Sequence, residues 1–181
     1  MNIVLIGYRG TGKSVVGQIL ARRLNRTYVG MDAGIVERAG MPIPEIVEKY
    51  DWPGFRDLET RVALDLADRH DLVIDTGGGV IERAENIPAL KKNGRVFWLQ
   101  ASVETIVRRI QGDDQRPALT AGKTFTEEVA EVLEKRHAKY LAAADYAIDT
   151  DTLSPQQVAE AVITELSREG AALDTGDPKA S

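Results

Sequence analysis

The chain has 181 residues, a formal net charge of −5 and no cysteine, which fits one domain with at most a short appendage and excludes disulfides, thiolate nucleophiles and cysteine-held zinc. An acidic balance without a long Lys/Arg cluster argues against a nucleic-acid partner, and no stretch approaches the roughly 18 apolar residues of a membrane span. With no signal-peptide pattern before the first strand, a soluble, cytoplasmic, monomeric protein is expected, and any anion it binds must be met by a local cluster of donors.

Ile3-Val4-Leu5-Ile6 is wholly apolar, as strands buried on both faces are. Gly7 to Gly12 is a glycine-rich turn, and Val15, Val16, Ile19, Leu20 and Leu24 then recur at helical spacing. Thr27-Tyr28-Val29 reads as a second strand, and Ala33 to Ala39 as a helix stopped by Gly40. Pro44, at a first helical position, opens a short helix, and a longer one spans about 54–69. Leu72-Val73-Ile74 is a third buried strand, running into Gly77-Gly78-Gly79. A helix closed by Asn93-Gly94 precedes the fourth, Val96 to Leu99, and Ser102 can cap the helix bearing Ile106, Val107 and Ile110. Periodicity then disappears over 111–124, a length expected of a lid. Thr124 with Glu127 fits a capping box, Tyr146-Ala147-Ile148 is a fifth strand, and Ser154-Pro155-Gln156-Gln157 opens a last helix expected to end near Gly170. Residues 171–181 are small and polar and are expected to be disordered. Strands alternating with helices predict an α/β fold, three layers around a five-stranded parallel sheet.

Gly7-Tyr8-Arg9-Gly10-Thr11-Gly12-Lys13-Ser14 matches G-x-x-x-x-G-K-[ST] in full, between a buried strand and an amphipathic helix. Glycines let backbone N–H groups converge on phosphate oxygens, and the helix start aims its positive dipole end at the same point. Lys13 can reach the β- and γ-phosphates and the Ser14 hydroxyl can ligate Mg²⁺. A nucleotide-phosphate site follows, but the motif does not name the acceptor.

Other residues bear on the acceptor. Asp32 follows the second strand at its carboxyl end, where open α/β sheets bind ligands; it could accept a hydroxyl proton or support a metal, or it could simply be the N-cap of the next helix. Arg56 lies near a helix start, which the dipole disfavours, and Glu59 at i+3 could orient it; the alternative is an exposed pair of little worth. Three glycines after a buried strand expose backbone N–H groups and admit a close ligand, or form a flexible turn. Arg116-Pro117 lies in the lid stretch, Arg136 lies in a charged helix where a solvated face is the default, and His70 and His137 read as surface residues.

Taken together, these motifs resemble the shikimate kinase family. The likeness covers about residues 3–166: the phosphate loop, Asp32, Phe55-Arg56-x-x-Glu59, the triple glycine, Arg116-Pro117, and Arg136 followed by Tyr140. Trp52-Pro53-Gly54 and Leu119-Thr120 resemble one enterobacterial branch of it. The resemblance implies a nucleoside-monophosphate-kinase-like fold in one domain (residues 1–170), with a substrate-binding segment over about 32–60 and a lid over about 111–124. It implies phosphorylation of the 3-hydroxyl of shikimate, with ATP as co-substrate and Mg²⁺ as cofactor, a step toward chorismate and the aromatic amino acids. Gly10, Thr11, Gly12, Lys13, Ser14 and Val15 would bind nucleotide, with Arg109 against adenine. Asp32 would contact the hydroxyl, Arg56 and Arg136 would clamp the carboxylate, Gly78 and Gly79 would offer backbone contacts, and Arg116 would approach the transferred phosphate. A planar guanidinium suits a carboxylate better than an ammonium does.

Three places depart from that pattern, one being Asp151-Thr152-Leu153, near the adenine contacts, which lacks the Arg found in some members. Gly30 stands where relatives often carry a metal-organising Asp, and Asp75 where they carry a small residue. Ser14 and Asp32 are therefore expected to serve the metal, with Asp75 as the open alternative or merely a cap on its strand end. A gluconate-type small-molecule kinase and a catalytically silent nucleotide-binding regulator remain as alternatives.

Overall fold

The computed structural model describes residues 1–110 and 124–174. Its centre is a sheet of five parallel strands in the order β2-β3-β1-β4-β5. These are β1 (Asn2–Ile6), β2 (Thr27–Gly30), β3 (Leu72–Asp75), β4 (Gly94–Gln100) and β5 (Tyr146–Asp149). The helices are α1 (Lys13–Leu24), α2 (Met31–Ala39), α3 (Ile43–Ala67), α4 (Asn86–Lys91), α5 (Val103–Ile110), α6 (Phe125–Ala143) and α7 (Pro155–Asp174), with a 3₁₀ turn at Val80–Glu82.

The central strand explains the layering. Successive side chains of a strand point to opposite faces. Val4 and Ile6 of β1 join Ile74, Val96 and Trp98 in a core with α2, α3, α4 and α6. Ile3 and Leu5 join Val73, Phe97 and Leu99 in a second core with α1 and α7. A strand with helices on both faces has no polar side, hence its uniform apolar run. A smaller cluster of Tyr8, Ile106, Ile110, Val129 and Val132 ties α5 and α6 to the phosphate loop. Among the described residues, no helix is long and apolar enough to cross a membrane.

Local signals in the sequence are met where they close within a few residues. Thr124 and Glu127 form the expected capping box on α6. Ser154 and Gln157 exchange the corresponding bonds at the start of α7, and Ser102 Oγ accepts from the Thr105 N–H.

The two helices expected around Pro44 and after Gly54 are present as the two arms of α3, which meet at a kink at Asp51, whose φ of 57° is non-helical; Pro53 lacks an N–H to carry the helix ladder through that point. Two expectations need correction, and one alternative closes. Gly94 opens β4 instead of closing a helix: α4 ends at Lys91, and Asn93 donates to the Ala67 carbonyl at 2.8 Å. Asp32 is not an N-cap, because α2 already starts at Met31 and Gly30 occupies the cap position. Lastly, α7 runs through Gly170 to Asp174, four residues into the stretch expected to be disordered. The proposed lid, with Arg116, lies outside the described residues, apart from Thr124.

Candidate active site

The chain leaves β1 through α1 toward β2 on one side of the sheet and leaves the adjacent β4 through α5 and α6 toward β5 on the other, which opens a crevice at the carboxyl ends of these strands. The phosphate loop fills that crevice. Gly10 and Gly12 adopt φ of 80° and 93°, values open to glycine and strained for other residues. The Thr11 hydroxyl donates to the Tyr8 carbonyl at 2.8 Å, and Val16 N–H donates to Gly12 to begin α1. Lys13 is buried, its ammonium donating to the carbonyls of Gly7 at 2.8 Å and Tyr8 at 3.0 Å. The exposed Ser14 donates through Oγ to Asp75 Oδ2 at 2.6 Å.

Arg109 braces this loop from α5. Its guanidinium donates to the Gly10 carbonyl at 3.2 Å and to the hydroxyl and carbonyl of Thr150, at 3.1 and 2.7 Å. Phosphate loop and β5–α7 turn are thereby joined side by side. Arg9, Gly10, Gly12, Lys13, Ser14, Val15, Asp32, Asp75, Thr76, Gly78 and Arg109 line one cleft of about 370 Å³. Three cations on its wall supply the local anion-binding field that the net charge of −5 denies the protein as a whole.

The other half of the site is assembled from four chain segments. Asp32, in the first turn of α2, and Glu59 of α3 converge on the glycine loop: a Cβ on Gly77 would lie 3.0 Å from both Asp32 Oδ1 and Glu59 Oε1. Arg56 donates to Glu59 Oε2 at 2.6 Å. Glu59 is fully buried and Arg56 only 12% exposed, so the alternative of a solvated surface pair is ruled out. Burial raises the Glu59 pKa, while the Arg56 guanidinium works against that rise. Arg56 also lies over the rings of Phe55 and Trp52, cation–π contacts that flatten its fork against α3. Its guanidinium packs on Gly79 so closely that a Cβ there would come within 2.1 Å of Nη2. A side chain at 79 and this placement of Arg56 exclude each other.

Arg136 meets the glycine loop from α6. It is buried at 7% exposure, contrary to the default of a solvated face. Nε donates to Glu82 Oε1 at 2.7 Å and Nη1 to the Gly78 carbonyl at 3.3 Å. The Tyr140 hydroxyl, one helical turn on, donates to the same carbonyl. Burial pushes the Tyr140 phenol well up and keeps it a donor. With its carbonyl held toward α6, Gly78 is fixed in orientation. Glu82 also receives Lys139; burial raises its pKa, but these donors outweigh that effect and hold it below the ordinary carboxylate value.

A protein-family model described as "Shikimate kinase" matches residues 9–167. The chain belongs to the shikimate kinase family. A shikimate kinase of Thermodesulfovibrio yellowstonii is 41% identical over 167 residues, covering 92% of this chain and 95% of the relative. Shikimate kinase 2 of Escherichia coli O1:K1 / APEC is 42% identical over 169 residues, covering 92% and 95%. Among solved structures, shikimate kinase from Acinetobacter baumannii in complex with shikimate superposes with a TM-score of 0.88 at 34% identity, covering 93% of each chain. The chain is thus an ATP-dependent phosphotransferase of the shikimate pathway, and neither the gluconate-type alternative nor the silent regulator is favoured.

Of the residues the resemblance implies, Gly10, Gly12, Lys13, Ser14, Val15, Asp32, Gly78 and Arg109 line one cleft, Thr11 lines a neighbouring pocket, and Arg56 and Arg136 reach the glycine loop, at Gly79 and at the Gly78 carbonyl. Arg116 lies outside the described residues. His70 and His137 are exposed, as expected, though the His137 ring meets Trp98 edge-on. Glu82 and the Tyr28 hydroxyl were not legible beforehand. Neither sits in a motif, and each gains its role from a partner far along the chain: Glu82 from Arg136, 54 residues on, and Tyr28 from Asp75, 47 residues on.

Proposed function

We propose that the phosphoryl group of ATP passes to the 3-hydroxyl of shikimate at the junction of the two halves, beside Asp32 and Gly78. The observation that carries this is the shared position of those residues: both line the phosphate-loop cleft, while Asp32 Oδ1 also lies against Gly77 next to the Glu59–Arg56 pair. Asp32 orients the acceptor hydroxyl and takes its proton as the new P–O bond forms and the bond from the γ-phosphorus to the bridging oxygen breaks, with ADP leaving, the role of a positioned carboxylate in phosphoryl transfer. Lys13 exchanges its backbone carbonyls for the β- and γ-phosphate oxygens. Gly10, Thr11, Gly12, Ser14 and Val15 offer loop and helix-start contacts to the phosphates, and Arg109 supports adenine from the Thr150 side. Arg56 and Arg136 grip the acceptor carboxylate through charge-assisted hydrogen bonds, with Gly78 and Gly79 presenting backbone. A role for Arg116 at the transferred phosphoryl rests on the sequence alone.

The donors fit magnesium. The cleft offers the Ser14 hydroxyl and the carboxylates of Asp32 and Asp75, all oxygen. No group of three or more His, Cys, Asp or Glu among the described residues could hold a metal by itself. That sparse oxygen set suits an ion that retains waters and shares substrate phosphates. Ser14, with Asp32 or Asp75, would hold Mg²⁺, which would supply charge neutralisation to the phosphates when bound. The enzyme is further proposed to be cytoplasmic and monomeric, with small molecules as its only partners.

A coupled assay of ADP release, with ATP and Mg²⁺ present, tests the reading. Turnover should require shikimate and give 3-phosphoshikimate. Equal turnover on gluconate, or none on shikimate, would sink it.

A further inference from the structure

Building on the cleft as the Mg·ATP site, we infer that Asp75 is the residue that positions Ser14 for a divalent cation, with the Tyr28 hydroxyl holding that carboxylate in place. Asp75 ends β3, laterally opposite Leu5 of β1 and Gly30 of β2. Neither neighbour has a polar side chain for it to answer. It is only 9% exposed and lines the phosphate-loop cleft. Ser14 Oγ and the Tyr28 hydroxyl both donate to Oδ2, at 2.6 and 2.9 Å. Among the described residues, no Lys, Arg or His forms an ion pair with it. A carboxylate this buried is ordinarily paired with a cation or coordinated to one. Here two neutral hydroxyls hold it beside a loop built for phosphates.

The hydrogen bond to Ser14 explains why such a group belongs there. A serine hydroxyl has one donor and two lone pairs. With the donor committed to Asp75, only the lone pairs of Ser14 are left for a metal. Second-sphere carboxylates act in this way, fixing ligand orientation and raising ligand basicity. The carboxylate is also within the cleft where metal-bound waters would need an acceptor. Tyr28 is suited to its part. Burial, and then the Asp75 charge, push its phenol up to about 12, so it stays a donor. Asp32 is thereby left to the acceptor side, and the two carboxylates of the crevice divide the work.

The test separates metal binding from folding and from nucleotide binding. Mn²⁺ is titrated into the protein–ADP complex by electron paramagnetic resonance, and ADP without metal and shikimate are titrated by calorimetry. Asp75→Asn should weaken Mn²⁺ binding roughly 10-fold or more, the scale for losing a second-sphere partner, with metal-free ADP and shikimate binding retained. Tyr28→Phe should shift Mn²⁺ binding the same way by less, since the Ser14 bond survives. Adding Gly30→Asp to Asp75→Asn should recover part of the loss: a Cβ at 30 meets only the Tyr28 hydroxyl at 3.6 Å and the ring at 4.0 Å. Unchanged Mn²⁺ affinity in Asp75→Asn, with only the melting temperature lowered, would make the carboxylate a strand-end staple and overturn the proposal. Should Asp75→Asn not fold, Tyr28→Phe decides: Mn²⁺ affinity equal to the parent's overturns it. Failure of the parent to bind ADP at all overturns the nucleotide reading itself, an outcome distinct from a metal-specific null.

Discussion

The two halves of the crevice are built differently. The loop of the phosphate half is one contiguous stretch, Gly7 to Lys13, whose internal bonds close within six residues: Thr11 to Tyr8, and Lys13 to Gly7 and Tyr8; Arg109 braces it from outside, and Asp75 the adjoining Ser14. The acceptor half is assembled from α2, α3, the glycine loop and α6, and its bonds cross the fold: Arg136 reaches Gly78 over 58 residues and Glu82 over 54. Arg56 is placed by a glycine 23 positions away that leaves it room. Local geometry suffices to cradle phosphate, which every nucleotide shares. Choosing an acceptor requires charges buried at fixed positions, and only tertiary packing can hold them against desolvation.

The comparison breaks most sharply at Lys13. Lys13→Met should lower kcat by about 10²-fold or more, the scale of losing one preorganised electrostatic donor. Steady-state kinetics on the folded variant checks this, and near-normal turnover would remove the phosphate-loop assignment. Next in size are the two arginines. Arg56→Ala or Arg136→Ala should each weaken shikimate binding by about 1.5–3 kcal/mol, as for a hydrogen bond to a charged group, and leave ATP binding nearly intact. Calorimetry on both ligands decides; equal losses for ATP and shikimate would erase the distinction between the halves.

Gly79→Ala sharpens it further. The new methyl would contest the space of the Arg56 guanidinium, and Arg56 has to swing out of register with Glu59. Shikimate affinity should fall by about 1–2 kcal/mol, part of a charged hydrogen bond, again with ATP binding spared. An unaltered shikimate isotherm would show that Arg56 does not need its observed position.

The smallest effect is in acid. Glu82 titrates below its ordinary 4.5 in the folded state. Its contribution to stability is therefore complete above about pH 4.5 and is lost as pH falls through the lower folded value. Because Lys139 is half exposed, the amount is discounted for solvent screening to about 0.5–1 kcal/mol. Thermal melts from pH 6 to 3.5 should fall more steeply for the parent than for Glu82→Gln, and parallel curves would count against the pair.

Much of the architecture was legible because its causes are short-ranged. Burial on both faces writes itself into Ile3 to Ile6, the cap of α6 into Thr124 and Glu127, and the anion cradle into the spacing of glycines before Lys13. Each of these needs only neighbours within one strand or one helical turn. The sequence by itself thus determined the sheet class and the phosphate-loop motif and, through its family resemblance, named the candidate acceptor residues. Tertiary structure alone decided their environments. Arg136 looked solvated and is buried, because α6 turns that face onto the glycine loop. Asp32 could be read as a ligand contact or as a helix cap, and it faces Gly77 because Gly30 takes the cap position. Asp75 meets Ser14 across 61 residues because β3 lies next to β1 in the sheet. Strand order is settled by which surfaces bury best together, and no local pattern of residues contains that information.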